Sequence, residues 1–277
     1  MNTITNRTFD EERALYHSNE IILENCAFDG AADGESALKE SENIEVRNTF
    51  CNLRYPFWHD RNLCIADSEM TELCRAALWY SQQIQIQNTQ MHGIKALREC
   101  SDVVIENSDI ISPEFGWSVT GITMKNCTAE SEYFMMRSRN INFEKVQFKG
   151  KYSFQYIENA VIENCVFDTK DAFWHGKNIT VRNSIIKGEY LAWYSENLTL
   201  ENCKIIGTQP FCYCKNLNLI NCEMFDADLC FEKSEVHAEI ITPVDSIKNP
   251  LSGMIHVPSV GEIIRDEEDS RAEIILS

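Results

Sequence analysis

Proline and glycine are scarce, at 6 and 11 of 277 residues. A collagen-like chain is excluded by that, and so is disorder, because 44% of the residues are hydrophobic and supply a core. Basic residues are in deficit too: 25 Lys and Arg against 43 Asp and Glu leave a formal charge of −18. Nucleic acids and anionic membrane surfaces are therefore not expected as partners, since both recruit positive surface. No apolar run reaches the length of a membrane-spanning helix. The first thirty residues lack a basic start followed by an apolar stretch, so no export leader is expected and a cytoplasmic location is.

Repetition is what the sequence has in abundance. The segments SDVVIENSDI, ENAVIENCVF, KNITVRNSII, ENLTLENCKI and KNLNLINCEM vary one phrase. Its Asn recurs at Asn88, Asn107, Asn126, Asn164, Asn183, Asn202 and Asn221, every step 19 residues once Lys145 fills the gap. Asp67, Asn48 and Asn25 continue the column upstream at steps of 21, 19 and 23, which fit loop insertions. A second Asn column runs five residues ahead, through Asn43, Asn62, Asn140, Asn159, Asn178, Asn197 and Asn216.

Within the phrase the apolar period is two, which means strands. Ile44, Ile84, Ile122, Ile179 and Leu198 point inward, with Val46, Ile86, Met124, Val181 and Leu200 two residues later. A short second strand after the Asn turns Phe28, Met70, Ile110, Phe167 and Ile186 inward. A third strand is expected in RYPFWHD, AALWYS, DAFWHG and EYLAWYS. The fold class is all-β: a parallel β-helix solenoid of three short strands per 19-residue coil, about eleven coils long, with stacked Asn side chains. Residues 1–20 are expected to cap it, 21–234 to form it, and 235–277 to close it, as one structural domain.

The 12 cysteines then lose their apparent chemistry. Cys26, Cys127, Cys165, Cys203 and Cys222 share an inward column with Ser108 and Ser184, as small core residues. Free thiols are expected, because in-register stacking of Cys203 on Cys222 does not suit a disulfide dihedral. The lone Cys212-x-Cys214 does not make a zinc site. His59 and His175 share a phrase but fall six coils apart, about 29 Å by strand spacing, and do not share an ion.

The third strand is where function is expected. Alternation places Trp79, Trp117, Trp174 and Trp193 inside, beside Ala77, Ala172, Leu191 and Leu229. It places two polar ladders outside, flanking an apolar column of Phe57, Leu97, Met135, Phe154, Phe173 and Phe211. The first ladder includes Tyr55, Tyr152, Asp171 and Tyr190 and ends at Asp228. The second runs from Glu40 through His59, Tyr80, Arg137, Tyr156, His175, Tyr194 and Tyr213 to Glu232. Tyrosine rings stack on sugars while their hydroxyls hydrogen-bond, so a carbohydrate groove is one reading. The expected binding residues are Arg54, Tyr55, Arg75, Arg137, Tyr152, Tyr156, Asp171, Tyr190, Tyr194 and Tyr213, with Glu40, His59, Tyr80 and His175 for acid–base work. An apolar column between the ladders equally suits a homo-oligomer interface or a face sealed by the C-terminal segment. A one-residue slip in register would exchange the two faces.

The coils, with GESALKE at 34–40, RYPFWHD at 54–60, CRAALWYS at 74–81, DAFWHGKN at 171–178 and the VDSIKNPLSG tail, resemble a bacterial family of unknown function. That family has a pectin-lyase-like, right-handed, single-stranded β-helix. The resemblance covers nearly the whole chain and implies fold and handedness, not activity. By analogy with pectate lyases and polygalacturonases the third strand would line a substrate cleft, making a lyase, hydrolase or epimerase one expectation. The calcium-dependent lyase cluster and the NTD, DD and RIK signatures are missing, and WHGK is a weak echo of GHG. No metal or cofactor motif is visible; calcium is compatible with the fold class but has no ligand set. The leading expectation is oligosaccharide binding or processing, and the alternative is a non-catalytic scaffold.

Overall fold

The computed structural model describes residues 1–276. The chain forms two compact units, Met1–Asn142 and Phe143–Ser277, each a parallel β-solenoid of the same plan. In the first, Glu42–Arg47, Arg61–Ala66 and Gln82–Gln87 stack in parallel, with Leu63 opposite both Ile44 and Ile84. In the second, Lys177–Arg182 and Glu196–Glu201 stack with Ile179 opposite Leu198 and Val181 opposite Leu200. The short strands follow suit, as in Phe50–Cys51 on Glu69–Met70 and Val166–Asp168 on Ile185–Lys187. Inward positions on both sides are sealed: Ile44, Ile84, Leu198, Phe28, Met70 and Phe167 are all at most 1% exposed.

Between the long and short strands the chain must reverse in one residue, and a left-handed conformation does this. Asn25, Asn48, Asn88, Asn183 and Asn202 have φ between 46° and 55°, a region Asn tolerates because its short polar side chain bonds locally. Their amides also join consecutive coils, with Asn221 donating to Asn202 and Asn202 to Asn183 at 2.7 and 3.3 Å. Outward charges of opposite sign meet on some successive coils of the long strands. Arg182 lies 3.0 Å from Glu163 and 3.1 Å from Glu201 on the coils either side.

About 14 turns replace the expected eleven, because the ends contribute rungs. Asn2–Thr5 pairs with Asn19–Glu24, and Ser252–Val257 pairs with both Glu235–Ile240 and Glu273–Leu276. Among the described residues no helix is long and apolar enough to cross a membrane.

Three further expectations on the third side need correction. It is not extended: apart from the pairs Leu78–Trp79 and Leu97–Arg98, it is a run of turns. Tyr55 and His59 have φ of 58° each, and Tyr190, Ala192 and Tyr194 have 58°, 62° and 61°. Left-handed residues interrupt the alternation on which the facing was read. Phe57, Leu97, Met135, Phe154, Phe173 and Phe211, expected outside, are therefore core residues at most 1% exposed. The tryptophans expected inside are half-buried on the outer surface. The last rung is also shifted by one residue, since Tyr213 donates to the Glu232 carbonyl and the left-handed positions there are Leu229 and Lys233.

The cysteines are free, and all but Cys64 are buried. Burial pushes the Cys51, Cys100 and Cys214 thiols up to about 12, so they carry no nucleophilic thiolate. Several of the cysteines instead donate to carbonyls of the preceding coil, as Cys127 does to Ile105 and Cys203 to Val181, both at 3.5 Å.

Candidate functional site

The third side of each unit presents three kinds of outward position. A backbone column comes first. Tyr156, His175, Tyr194 and Tyr213 donate their N–H groups to the carbonyls of Trp174, Trp193, Cys212 and Glu232 at 2.7–3.0 Å. Each left-handed residue costs about 1–2 kcal/mol for a side chain of this kind. The repeated coil-to-coil bond offsets it and fixes each side chain at one place per rung.

The second feature is the indoles. Trp58, Trp79, Trp174 and Trp193 donate Nε1–H to the carbonyls of Ala76, Lys95, Tyr190 and Gln209, at 2.5, 2.7, 2.7 and 2.8 Å. Trp58 stacks on Trp79 at 5.1 Å and Trp174 on Trp193 at 5.4 Å, within 5° of parallel. Where a Trp is replaced by Arg98, its guanidinium sits 5.2 Å from Trp79 and 4.7 Å from Trp117. These rings are locked, and their faces are largely used by one another.

The third feature is the ring ladder. In the second unit Tyr156, His175, Tyr194 and Tyr213 stack in sequence with centroids 4.9, 4.9 and 4.7 Å apart and planes within 9°. Tyr156 and Tyr194 are 51% and 43% exposed. Among the described residues, the hydroxyls of Tyr80, Tyr156, Tyr190, Tyr194 and Tyr213 have no protein partner. Neighbouring rings cover the faces along the ladder, so it offers water a row of hydroxyl and imidazole edges. Burial raises the Tyr213 phenol, with help from Glu232 and Tyr194.

In the first unit the expected line of Glu40, His59 and Tyr80 occupies consecutive rungs. His59 stacks on Tyr80 at 4.9 Å and 14°. Tyr16, which the sequence reading missed, completes it by donating to Glu40 Oε2 at 2.5 Å. That bond lowers the Glu40 pKa, with Lys39 adding to the effect, and raises the Tyr16 phenol. Glu40 is held ionised and suits an acceptor rather than a proton donor. Tyr16 was missed because it lies one residue before the left-handed His17, in the segment assigned to a cap. The only signal was the spacing of ALYHS to ALKES.

The other expected residues divide. Tyr55 packs on Trp58 at 4.8 Å. Arg54 is committed to Asp33 at 3.2 Å and Glu35 at 3.6 Å, whereas Arg75 and Arg137 are exposed. In the second unit Lys151 lies 5.6 Å from the Tyr152 ring, and Lys170 5.3 Å from that of Tyr190. Asp171 is only 6% exposed, and burial raises its pKa. His175 has Tyr156 and Tyr194 as its ring neighbours. Separately, an open trough of about 630 Å³ runs along Asn25, Asn48, Asp67 and Asn88, on the bend between long and short strands.

No curated protein matches the chain. Among solved structures it is similar to the A-module of mannuronan C-5 epimerase AlgE6 from Azotobacter vinelandii, at 11% identity and TM-score 0.35, over 92% of this chain and 88% of that one. The AlgE4 A-module from the same organism gives 10% and 0.30, over 99% and 89%. The catalytic domain of a GH87 alpha-1,3-glucanase in complex with tetrasaccharides gives 12% and 0.30, over 99% and 64%. The family profile described as "Protein of unknown function (DUF3737)" spans residues 2–276, and the chain belongs to that family.

Proposed function

We propose that the protein binds neutral, linear oligosaccharides along the ladder of Tyr156, His175, Tyr194 and Tyr213. The observation that carries this reading is the row of hydroxyl and imidazole edges, exposed at Tyr156 and Tyr194 and half-buried at His175 and Tyr213, on rings whose centroids lie 4.7–4.9 Å apart. An extended polyol lying along it meets one donor-acceptor group per rung. The rings act through their edges rather than as stacking platforms, because their faces are taken. Neutral ligands are favoured by charge, because the protein carries −18. The line of Tyr16, Glu40, His59 and Tyr80 in the first unit offers the same chemistry on a shorter scale.

Calorimetric titration with neutral oligosaccharides and oligouronates of matched length tests this. Saturable binding of a neutral series, lost in Tyr156→Ala and His175→Ala, supports it. No neutral binding, or variants that bind as the wild type does, removes it. The exposed tyrosines also suit a second reading, an interface between copies of the chain, since Tyr is enriched at interface cores. A dimer abolished by Tyr156→Ala, with no glycan affinity, selects that reading.

A further inference from the structure

One acid in the first unit lies outside everything above. Asp60 is 1% exposed and follows His59, at the corner where the third side turns into the next long strand. Its Oδ1 accepts the Ser41 N–H at 2.9 Å, and its own N–H donates to Ser81 Oγ at 2.9 Å. Among the described residues its Oδ2 is buried with no partner, an arrangement a carboxylate tolerates poorly.

The column to which it belongs explains what is missing. Ser81 Oγ–H donates to the Phe57 carbonyl at 2.7 Å, Cys100 Sγ–H to Leu78 at 3.3 Å, and Ser41 to Leu15 at 3.4 Å. Ser195 and Ser234 in the second unit do the same toward Phe173 and Phe211. Each polar occupant thus accepts an N–H or lies beside one, and donates to the same carbonyl of the preceding coil. For Asp60 that carbonyl belongs to Leu38, which accepts no other hydrogen bond among the described residues. Only the protonated acid can both accept and donate there.

We propose that Asp60 is a proton-operated latch: as the neutral acid it accepts from Ser41 through Oδ1 and donates through Oδ2 to the Leu38 carbonyl, and loss of that proton releases the coil that carries Trp58 and His59. Burial pushes the carboxyl up to about 8, against the pull of the Ser41 N–H. No charged group takes part. The neighbouring rungs are Ser41 and Ser81, Cys100 beyond them is neutral, and Glu40, His59 and Arg61 are exposed.

Because the folded value lies above the unfolded one of about 4, the latch stabilises fully below about pH 4. That stabilisation is lost as pH rises toward 8. Carboxyl carbon NMR of the wild type should show one aspartate titrating near pH 8, absent in Asp60→Asn. Hydrogen exchange, corrected for its intrinsic pH dependence, should rise for residues 54–60 between pH 7 and 9 in the wild type and stay level in Asp60→Asn and Asp60→Ser. The Tm of both variants relative to the wild type should climb between pH 4 and 8 and then level off. An Asp60 carboxyl that titrates below about pH 6, or exchange at 54–60 that changes alike in all three proteins, overturns the latch.

Discussion

Side chains in this fold work at positions that the backbone makes expensive. Asn202 sits at φ 52°, donates to Asn183 and accepts from Asn221. Asn202→Ala removes both bonds and the polar side chain that lets Asn tolerate left-handed geometry, which costs other side chains about 1–2 kcal/mol, so denaturant unfolding should report a loss of about 2 kcal/mol. Asn202→Gly removes the same bonds without that backbone cost, and should lose less. Equal losses would mean the turn is not held left-handed. Tyr and His have no such natural excuse for φ near 58°. Strain of that kind persists where surrounding structure enforces it, and its recurrence at Tyr156, His175, Tyr194 and Tyr213 as well as at the buried Phe154, Phe173 and Phe211 makes it a property of the coil.

The coil is the element that positions them, and it was only partly legible from sequence. Ile44, Val181 and Phe28 were readable because long and short strands are extended, so a period of two maps onto in and out. On the third side that mapping fails, since left-handed residues at Tyr55 and His59 leave Pro56 and Phe57 both buried and rotate Trp58 outward. Asn announces such a conformation, while Tyr, His and Phe do not. The Glu40, His59 and Tyr80 succession survived the error because coil spacing, not facing, predicted it. The indoles brace this side through their N–H groups. Trp174→Phe keeps a ring but loses the 2.7 Å bond to the Tyr190 carbonyl, and should cost about 1 kcal/mol in thermal or chemical unfolding. An unchanged stability would show that the indole N–H contributes nothing beyond what water supplies. Phe154→Ala, in the buried column beside it, should cost about 3–5 kcal/mol.

For the molecule as a whole, the −18 charge bears on stability and, under the proposed function, on the choice of ligand. Self-repulsion among carboxylates is screened by salt, so Tm should rise as sodium chloride is added from low ionic strength. A falling Tm would assign the balance to ion pairs such as Arg182 with Glu163 and Glu201. The same field disfavours polyanions, which is why the proposed function assigns hydrogen bonding to neutral hydroxyls to the ring edges. The most direct measurement compares wild type and Tyr194→Phe by calorimetric titration with the tightest neutral oligosaccharide. Losing the hydroxyl while keeping the stacked ring should weaken binding roughly 2- to 12-fold, the worth of one neutral hydrogen bond. Unchanged affinity would contradict recognition through the ring edges.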